Sequence, residues 1–202
     1  MHNQNTHSGP SFSIENRIRR TLWEIVAFFL FRYSPKMFHS WRSFLLRCFG
    51  AKVGSGVRVY PGVKIWAPWN LELSNECGIA NDVILYSQGK IRIGEQTVIS
   101  QGSHLCAGTH DYNQVGFPLI TKPINIGSHV WIAAESFIHP GISIGEGSVI
   151  GARSVVVNDM PAWMICAGHP CKPLKERKKI KFQVGRITNT VDNVNTKLVK
   201  PF

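Results

Sequence analysis

Apolar residues recur at every sixth position through the middle of the chain. A six-residue frame, with one interruption after residue 83 and a longer one between residues 111 and 123, holds at its first position Val53, Val59, Ile65, Leu71, Cys77, Val83, Ile93, Ile99, Leu105, Ile126, Ile132, Ile138, Ile144, Ile150 and Val156. A period of six predicts a parallel β-helix, because each hexad forms one strand and one turn, and three hexads close a triangular coil. An α-helix or a sandwich strand would give a shorter period.

Small residues mark the turns of the same frame. Glycine follows the frame residue at Gly54, Gly94, Gly127, Gly145 and Gly151, and a small hydroxyl residue comes four places after it at Thr97, Ser103, Thr109, Ser136, Ser148 and Ser154. Glycine tolerates positive φ at a corner where a side chain would clash. The pattern therefore predicts an all-β domain over residues 50–175, with a loop protruding from it at residues 111–123.

A helical pattern precedes the hexads. Residues 13–49 are amphipathic, with Ser13 as a candidate N-cap and a break at Ser34-Pro35 before a second helix over residues 38–49. Two interpretations stay open for these helices. They pack on the β-helix, or their Trp, Phe and Leu side chains, which alternate with Arg, contact an anionic membrane as a peripheral anchor.

The two ends of the chain carry much of its positive charge. The protein has 202 residues, 23 of them Lys or Arg against 12 Asp or Glu, and a formal net charge of +11. Residues 1–12 are polar and predicted to be disordered, and residues 176–202 form a basic C-terminal tail. Basic ends suit nucleic acid, an anionic membrane or a nucleotide cofactor. No nucleic-acid-binding motif accompanies them, which argues against nucleic acid.

The cysteines indicate a reducing compartment. Five cysteines, an odd number without a C-x-x-C pair, are typical of reduced thiols in a cytoplasmic protein. The first ten residues are polar and do not resemble a signal peptide, and the longest apolar run, residues 25–31, is too short to span a bilayer. We expect a cytoplasmic protein, with the inner face of the membrane as a further location if the helices bind lipid.

The late hexads carry a family resemblance. Residues 123–132 read PINIGSHVWI, residues 149–156 read VIGARSVV, and residues 167–172 read AGHPCK. This succession is similar to the late coils and C-terminal turn of the left-handed β-helix, or hexapeptide-repeat, acyltransferases. The resemblance implies a left-handed coil, against the usual right-handed crossover. It also implies transfer of an acyl group from a coenzyme A thioester.

Earlier segments narrow the resemblance to one branch. They are residues 45–54, 60–61, 65–71, 100–101 and 105–112. These segments resemble the exopolysaccharide acetyltransferases of the colanic-acid type, and the chain is also similar to maltose and galactoside acetyltransferases. The resemblance covers about residues 15–175. It implies that the protein moves an acetyl group from acetyl-CoA to a sugar hydroxyl in surface-polysaccharide biosynthesis, and that it requires no metal.

His110 is the expected catalytic base. It ends a hexad immediately before the chain leaves the coil at Asp111, where the resemblance places the family's catalytic histidine. A neutral imidazole near pH 7 is suited to taking a proton from a sugar hydroxyl. The group that orients His110 stays open, with the adjacent Asp111 and the more distant Glu135 as candidates.

The resemblance also implies positions for the cofactor, which in this family lies in a groove between neighbouring subunits. The matching positions are Trp131, Ala134, Ala152, Arg153, Lys172 and Lys175. Small side chains let the pantetheine arm approach backbone amides, and the lysines would face the phosphates. Val157 and Asn158 depart from the family's Thr-Lys pair, which leaves Arg153 as a substitute contact. Packing between coils is an equally good interpretation of Trp131.

The acceptor pocket is expected beneath the protruding loop. Candidate contacts with the sugar are Asn81, Asp82, Tyr86, Asp111 and Tyr112. For Asn81 and Asp82 a purely structural alternative exists, because Asn-Asp is common at tight corners.

Two other functions are compatible with a β-helix. A zinc hydratase of the carbonic anhydrase type needs three converging histidines, and His104 and His110, six residues apart, project from different faces. A non-catalytic scaffold or a membrane-surface binding protein would keep the coils without the chemistry. In either case we expect a homotrimer, because a triangular prism offers three equivalent edges.

Overall fold

A computed structural model describes residues 12–178. Its main body is a β-helix with three parallel sheets, and each sheet takes one strand from successive coils. Sheet A contains β1 (Lys52–Val53), β4 (Leu71–Leu73), β7 (Ile91–Ile93), β12 (Ile124–Ile126) and β15 (Ser143–Ile144). Sheet B contains β2 (Arg58–Val59), β5 (Gly78–Ile79), β8 (Val98–Ile99), β13 (Trp131–Ile132), β16 (Val149–Ile150) and β18 (Met164–Gly168). Sheet C contains β3 (Lys64–Ile65), β6 (Ile84–Tyr86), β9 (His104–Cys106), β14 (Phe137–Ile138) and β17 (Val155–Val156).

Two antiparallel hairpins complete the strands. β10 (Gly108–His110) pairs with β11 (Leu119–Thr121) outside the coils, and β19 (Cys171–Glu176) pairs with β18 at the C-terminal end of sheet B. The predicted fold class, a parallel β-helix with N-terminal helices and a short C-terminal extension, is confirmed. The left-handed winding of the coil stays a prediction that rests on the family resemblance. The predicted disorder of residues 1–12, apart from Phe12, and the predicted basic tail beyond Lys178 lie outside the described residues.

One inward column runs through each sheet, because inward-facing residues pair with inward-facing residues from coil to coil. In sheet C the column is Ile65, Leu85, Leu105, Ile138 and Val156. From Leu85 onward these side chains are completely buried. Stacked apolar columns exclude water from the whole length of the prism, and their burial stabilises the coils.

The predicted frame is wrong at Leu71, Cys77 and Val83. The 3₁₀-helix Pro68–Asn70 adds residues at the corner between sheets C and A, and a second insertion follows at residues 87–90. Because of the first insertion the inward column passes through residues 73, 79 and 85 instead. Leu71, Cys77 and Val83 are still buried, in a second column two positions earlier.

Hydroxyl residues fill the second column in the later coils. Thr97, Ser103 and Ser136 are buried, and their hydroxyls donate to carbonyl oxygens of Gly127 at 2.7 Å and of Ala133 at 3.0 and 2.9 Å. These bonds satisfy polar groups inside the corners. Thr109, which the frame grouped with them, lies in the β10–β11 hairpin instead.

Two helices precede the coils. Helix α1 (Ile14–Val26) begins at Ser13, whose Oγ accepts from the backbone N–H of Asn16 at 3.2 Å, and it continues into a π-helical turn (Ala27–Phe31). Helix α2 (His39–Cys48) packs on β1 and β2. Its Arg42 is completely buried and donates to the carbonyl oxygens of Val59 and Pro35 and to the hydroxyl of Ser34. This side chain ties α2 to the coils and to the preceding turn.

Helix α1 turns its polar side toward the β-helix. The guanidinium of Arg19 lies 4.4 Å from the ring centroid of Trp69, that of Arg20 lies 4.3 Å from Trp66, and the indole N–H of Trp23 donates to Ile65 O at 2.8 Å. The opposite side is an apolar stripe, whose side chains are 51% to 74% exposed: Ile14, Ile18, Leu22, Ile25 and Phe29. The helices therefore pack on the body while an apolar surface faces outward.

Candidate active site

The β10–β11 hairpin carries His110 out of the coils. Residues Gly108, Thr109 and His110 pair antiparallel with Thr121, Ile120 and Leu119. The chain leaves the coil after the buried Ala107, whose N–H donates to Tyr86 O and whose carbonyl accepts from the N–H of Lys122. The departure comes earlier than the predicted point at Asp111, because the hairpin closes on Ala107.

A backbone carbonyl holds the His110 ring. Its Nδ1 lies 2.6 Å from the carbonyl oxygen of Phe117. Because a carbonyl only accepts, Nδ1 carries the proton and the lone pair of the neutral ring is on Nε2. The hairpin turn therefore fixes both the orientation and the tautomer that a general base needs.

Neither carboxylate suggested as the orienting group reaches His110. Asp111 accepts from the backbone N–H of Asn113 at 3.0 Å and from the side chain of Gln114 at 2.8 Å, so it stabilises its own turn. Glu135 accepts from Arg153 at 2.6 Å on another corner of the prism. Within one chain a carbonyl takes this place instead, because the loop folds back and brings Phe117 O, seven residues along, against the ring.

His110 lines a cavity of about 440 Å³, which we call the His110 cavity. Its other lining residues are Phe12, Arg17, Arg20, Tyr86, Gln88 and Leu119. The volume falls in the range of small-molecule sites, roughly 300–1,000 Å³. Among the predicted acceptor contacts only Tyr86 belongs to this set, and its hydroxyl accepts from the side-chain amide of Gln88 at 2.8 Å. The sequence analysis did not predict Phe12, Arg17, Arg20 or Gln88 as site residues. For Phe12, Arg17 and Arg20, nothing in the local sequence indicates that the N-terminal segment lies beside the hairpin.

Aromatic rings continue from the cavity along the outer face of sheet C. The ring centroid of Tyr86 lies 6.3 Å from that of Trp66 and 6.1 Å from that of His104, and His104 lies 4.9 Å from Phe137. Phe12 covers Trp66 at 4.8 Å. Burial lowers the pKa of His104, so this ring stays neutral at neutral pH.

Five of the remaining predicted residues lie at the corner between sheets B and C, at residues 80–83, 133–136 and 151–154. Asn81 and Asp82 sit at the turn itself: Asn81 Oδ1 accepts from the N–H of Gly62 at 3.1 Å, and Asp82 has φ +61°. Ala134 and Arg153 are directly bonded there, the carbonyl of the former accepting from the N–H of the latter. This corner is separated from the hairpin by the width of sheet C, roughly 10 Å for a three-residue strand.

The other cofactor candidates are spread over neighbouring surfaces. Ala152 shares the corner between sheets B and C, and Trp131 lies half-exposed on the outer face of sheet B, where its N–H donates to Ser100 Oγ at 2.9 Å. Lys172 and Lys175 are exposed on β19. Tyr112 projects from the loop, 79% exposed. Within one chain the structure brings His110 and Tyr86 together and leaves the cofactor candidates on other surfaces.

Comparison with known proteins agrees with this architecture. Residues 123–158 match the family model described as bacterial transferase hexapeptide (six repeats). The chain is 44% identical over 162 residues to the putative colanic acid biosynthesis acetyltransferase WcaF of Escherichia coli strain K12, covering 80% of this chain and 89% of the relative. The chain belongs to the hexapeptide-repeat acetyltransferase family. The resemblance inferred from the hexads is thus confirmed.

Two further relatives place the chain within this family. The galactoside O-acetyltransferase of Escherichia coli strain K12 is 29% identical over 138 residues, which cover 67% of this chain and 68% of that enzyme. The crystal structure of a maltose O-acetyltransferase from Clostridium difficile 630 superposes with a TM-score of 0.76 at 26% identity, covering 83% of this chain and 90% of that one. The maltose O-acetyltransferase therefore shares the fold of most of this chain.

Within residues 12–178 no group of three or more His, Cys, Asp and Glu side chains is placed to hold a metal ion. None of the helices in that range combines the length and the apolar character needed to cross a bilayer.

Proposed function

We propose that this protein transfers the acetyl group of acetyl-CoA to a hydroxyl of a sugar, with His110 as the general base, in the biosynthesis of a surface polysaccharide. The observation that carries the proposal is the bond from His110 Nδ1 to Phe117 O beside the His110 cavity. The identity to a putative colanic acid biosynthesis acetyltransferase supports the choice of acceptor.

The proposed reaction is a direct transfer. Nε2 of His110 takes the proton of the sugar hydroxyl while its oxygen attacks the thioester carbonyl. The tetrahedral intermediate collapses, the carbon–sulfur bond breaks, and the imidazolium returns the proton to the coenzyme A thiolate. Phe117 O stabilises the positive ring in between, because its hydrogen bond strengthens when the ring is charged.

The separation of the predicted residues supports a site shared between subunits. In a homotrimer, the hairpin of one subunit would face the corner between sheets B and C of its neighbour across a groove. Ala134 and Ala152 would let the pantetheine arm approach backbone amides. Lys172 and Lys175 would bind the phosphates, with Trp131 and Arg153 along the arm.

The acceptor would lie in the His110 cavity and beneath the loop. Tyr86 lines this cavity, and Asp111 and Tyr112 belong to the adjoining loop. Asn81 and Asp82 would reach the acceptor only from the neighbouring subunit, since in their own chain they belong to the corner between sheets B and C.

We place the enzyme in the cytoplasm, at the inner face of an anionic membrane. All five cysteines are free, in accord with a reducing compartment. The exposed apolar stripe of α1 adjoins Phe28 and Tyr33, and the only acidic side chains among residues 12–50 are Glu15 and Glu24. An apolar helical surface in a basic segment suits anionic lipid. Co-sedimentation with anionic vesicles at least tenfold above neutral vesicles is expected, and equal co-sedimentation would refute the contact.

The test of the activity is thiol release from acetyl-CoA against a panel of sugars and sugar derivatives. His110→Ala should lower acceptor-dependent release by about two orders of magnitude or more, since general-base catalysis contributes roughly 10²–10⁴. His129→Asn, at a histidine in the corner between sheets A and B and thus on another edge of the prism, is the matched control and should keep its activity, since Asn tolerates the positive φ found there. If His110→Ala releases thiol as fast as wild type, His110 is not the general base. If wild type releases no thiol with any acceptor, a non-catalytic scaffold is favoured.

A further inference from the structure

Helix α1 supplies two arginines to the His110 cavity. Arg17 and Arg20, one turn apart on the helix, line it together with His110. Arg20 pairs with Glu24 at 3.1 Å, yet its buried Nε–H has no acceptor within the described residues. Arg17 forms no ion pair within them. No Asp or Glu is among the described residues that line the cavity.

Such a cationic wall is not needed for acetyl transfer to a neutral sugar. Hydroxyls are recognised by neutral donors and acceptors, and Gln88 and Tyr86 already provide these in the cavity. Two guanidinium groups beside a catalytic site are typical of phosphate recognition, since each presents a planar set of N–H donors. The cavity therefore has the chemistry of an anion site next to the proposed base.

The phosphates of the cofactor do not fit this position. In acetyl-CoA the whole pantetheine arm separates the thioester from the diphosphate. During the reaction the thioester carbon must lie beside the hydroxyl that His110 deprotonates. The phosphates are then an arm's length away from the His110 cavity. An anion bound by Arg17 and Arg20 therefore belongs to the acceptor.

We infer that the acceptor is a glycosyl phosphate or diphosphate, whose phosphate binds Arg17 and Arg20 while a ring hydroxyl faces Nε2 of His110. The inference rests on the proposed function and names its acceptor class. Two sources share this chemistry: a soluble nucleotide-linked sugar and a lipid-linked sugar. The exposed apolar stripe lies on the opposite side of the same helix, so a bilayer in contact with the stripe would lie about one helix diameter, roughly 10 Å, from the arginines.

The first experiment compares matched acceptors that carry the same sugar as a methyl glycoside, a 1-phosphate, a nucleoside diphosphate derivative and a polyprenyl diphosphate derivative in detergent micelles. Wild type should use at least one phosphorylated form with a kcat/KM about tenfold or more above the methyl glycoside. The two diphosphate arms distinguish the soluble from the lipid source. Equal kcat/KM for charged and neutral acceptors would overturn the inference while leaving the proposed activity intact.

The second experiment removes the arginines. Arg17→Gln and Arg20→Gln together should raise KM for the phosphorylated acceptor about ten- to a hundredfold, because the charge-assisted hydrogen bonds to its phosphate are lost. The KM for the methyl glycoside should rise far less than the KM for the phosphorylated acceptor, and the KM for acetyl-CoA should rise least. Arg20→Lys should raise the KM for the phosphorylated acceptor less than Arg20→Gln does, because the positive charge is kept. Arg19→Gln is the control, because Arg19 lies on the same helix but stacks on Trp69 outside the cavity. A raised KM for acetyl-CoA instead would assign the arginines to the cofactor and refute the inference.

A binding measurement separates this inference from the activity itself. Titration of inorganic pyrophosphate into protein saturated with coenzyme A should give binding that weakens at least tenfold in the double variant and is unchanged in Arg19→Gln. Thermal melting of each variant checks that it is folded. If wild type and the double variant bind pyrophosphate equally, the inference is wrong, whether or not thiol release is observed.

Discussion

The coils and helix α1 use apolar residues in opposite ways. In the coils, frame residues such as Ile99 and Ile132 are completely buried, and each packs against the frame residue of the next coil. In α1 the regular apolar stripe, with Leu22 at its centre, faces outward. The side of α1 that meets the body is formed by Arg19, Arg20 and Trp23.

This difference shows that the two regions are held by different forces. The coils are stabilised by burial of apolar surface along continuous columns. Helix α1 buries one large side chain, Trp23, against Phe31 and Phe49, and is otherwise held by stacking of guanidinium groups on indole rings and by one indole hydrogen bond, contacts that are individually modest. Its apolar side contributes little to the fold of a single chain and remains available for a partner surface such as lipid.

The largest expected contrast comes from one substitution made in both regions. Leu105→Ala removes a completely buried side chain and should lower the free energy of unfolding by about 2–5 kcal/mol, because a cavity forms in the column. Leu22→Ala removes the same atoms from the exposed stripe and should stay within about 0.5 kcal/mol. Urea unfolding at one fixed protein concentration measures both. Equal losses would show that the stripe is buried in solution, against another chain.

The reactivity of the cysteine thiols also distinguishes the buried coils from the exposed helical segment. Burial raises the pKa of Cys77 to about 12 and of Cys166 to about 11, whereas Cys48 is exposed at the end of α2. Native Cys77 should react with a disulfide reagent at least about 10³ times more slowly than Cys48, since only the thiolate attacks. Mass spectrometry of the labelled protein identifies the sites. Cys48→Ser should abolish the fast phase, and fast labelling of Cys77 would contradict the dry core.

Arg42 tests whether hydrogen bonds hold the helical segment. Arg42→Met keeps the apolar stem but removes the donor to Pro35 O, Lys36 O and Ser34 Oγ, while Val59 O keeps its contact with His39 Nδ1 at 2.9 Å. We expect a loss of roughly 3 kcal/mol, at about 1–3 kcal/mol for each unsatisfied buried group. Arg47→Met, whose exposed guanidinium bonds the carbonyls of Val53 and Gly54, is the control, with about 1 kcal/mol or less. Similar losses in both variants would contradict a special role of Arg42.

The smallest effect concerns pH and the outer face of the coils. Burial lowers the pKa of His104 in the folded protein, so the unfolded chain takes up the proton first. The stability that His104 contributes is therefore full above the unfolded pKa of about 6.5 and declines as the pH falls toward the folded value. His104→Phe should flatten the dependence of the melting temperature on pH between about 7 and 5. An unchanged slope would refute this assignment.

The repeat was predictable because coil formation is local. Each hexad specifies its own strand and turn, so the period alone indicated the fold and the protruding loop. The two corner insertions were not located correctly. In this coil both columns are apolar and buried: Leu71 and Cys77 belong to one, and residues 73 and 79 to the other. The two columns lie only two residues apart, so hydrophobicity alone did not indicate which of them is the frame column.

The site was predictable only where it depends on one segment. The place of His110 before the loop followed from the frame and the resemblance, but its bond to Phe117 O depends on how the loop folds back. The arginines of the His110 cavity come from α1, and an amphipathic pattern does not state which side of a helix meets the body. That orientation follows from partners distant in sequence, such as Trp66 and Trp69.

The antiparallel strand β19 has a consequence for the length of the particle. A stack of parallel coils has no inherent limit, since its last coil presents the same free N–H and C=O groups to which another coil, or another molecule, can add. Strand β19 covers β18 in the opposite direction and places Pro173, which has no N–H, and the charged Lys172 on the outside. Helix α2 packs on β1 and β2 at the other end. Within residues 12–178, β19 thus blunts the edge of sheet B at one end and α2 covers β1 and β2 at the other, which disfavours pairing with a further coil at these places.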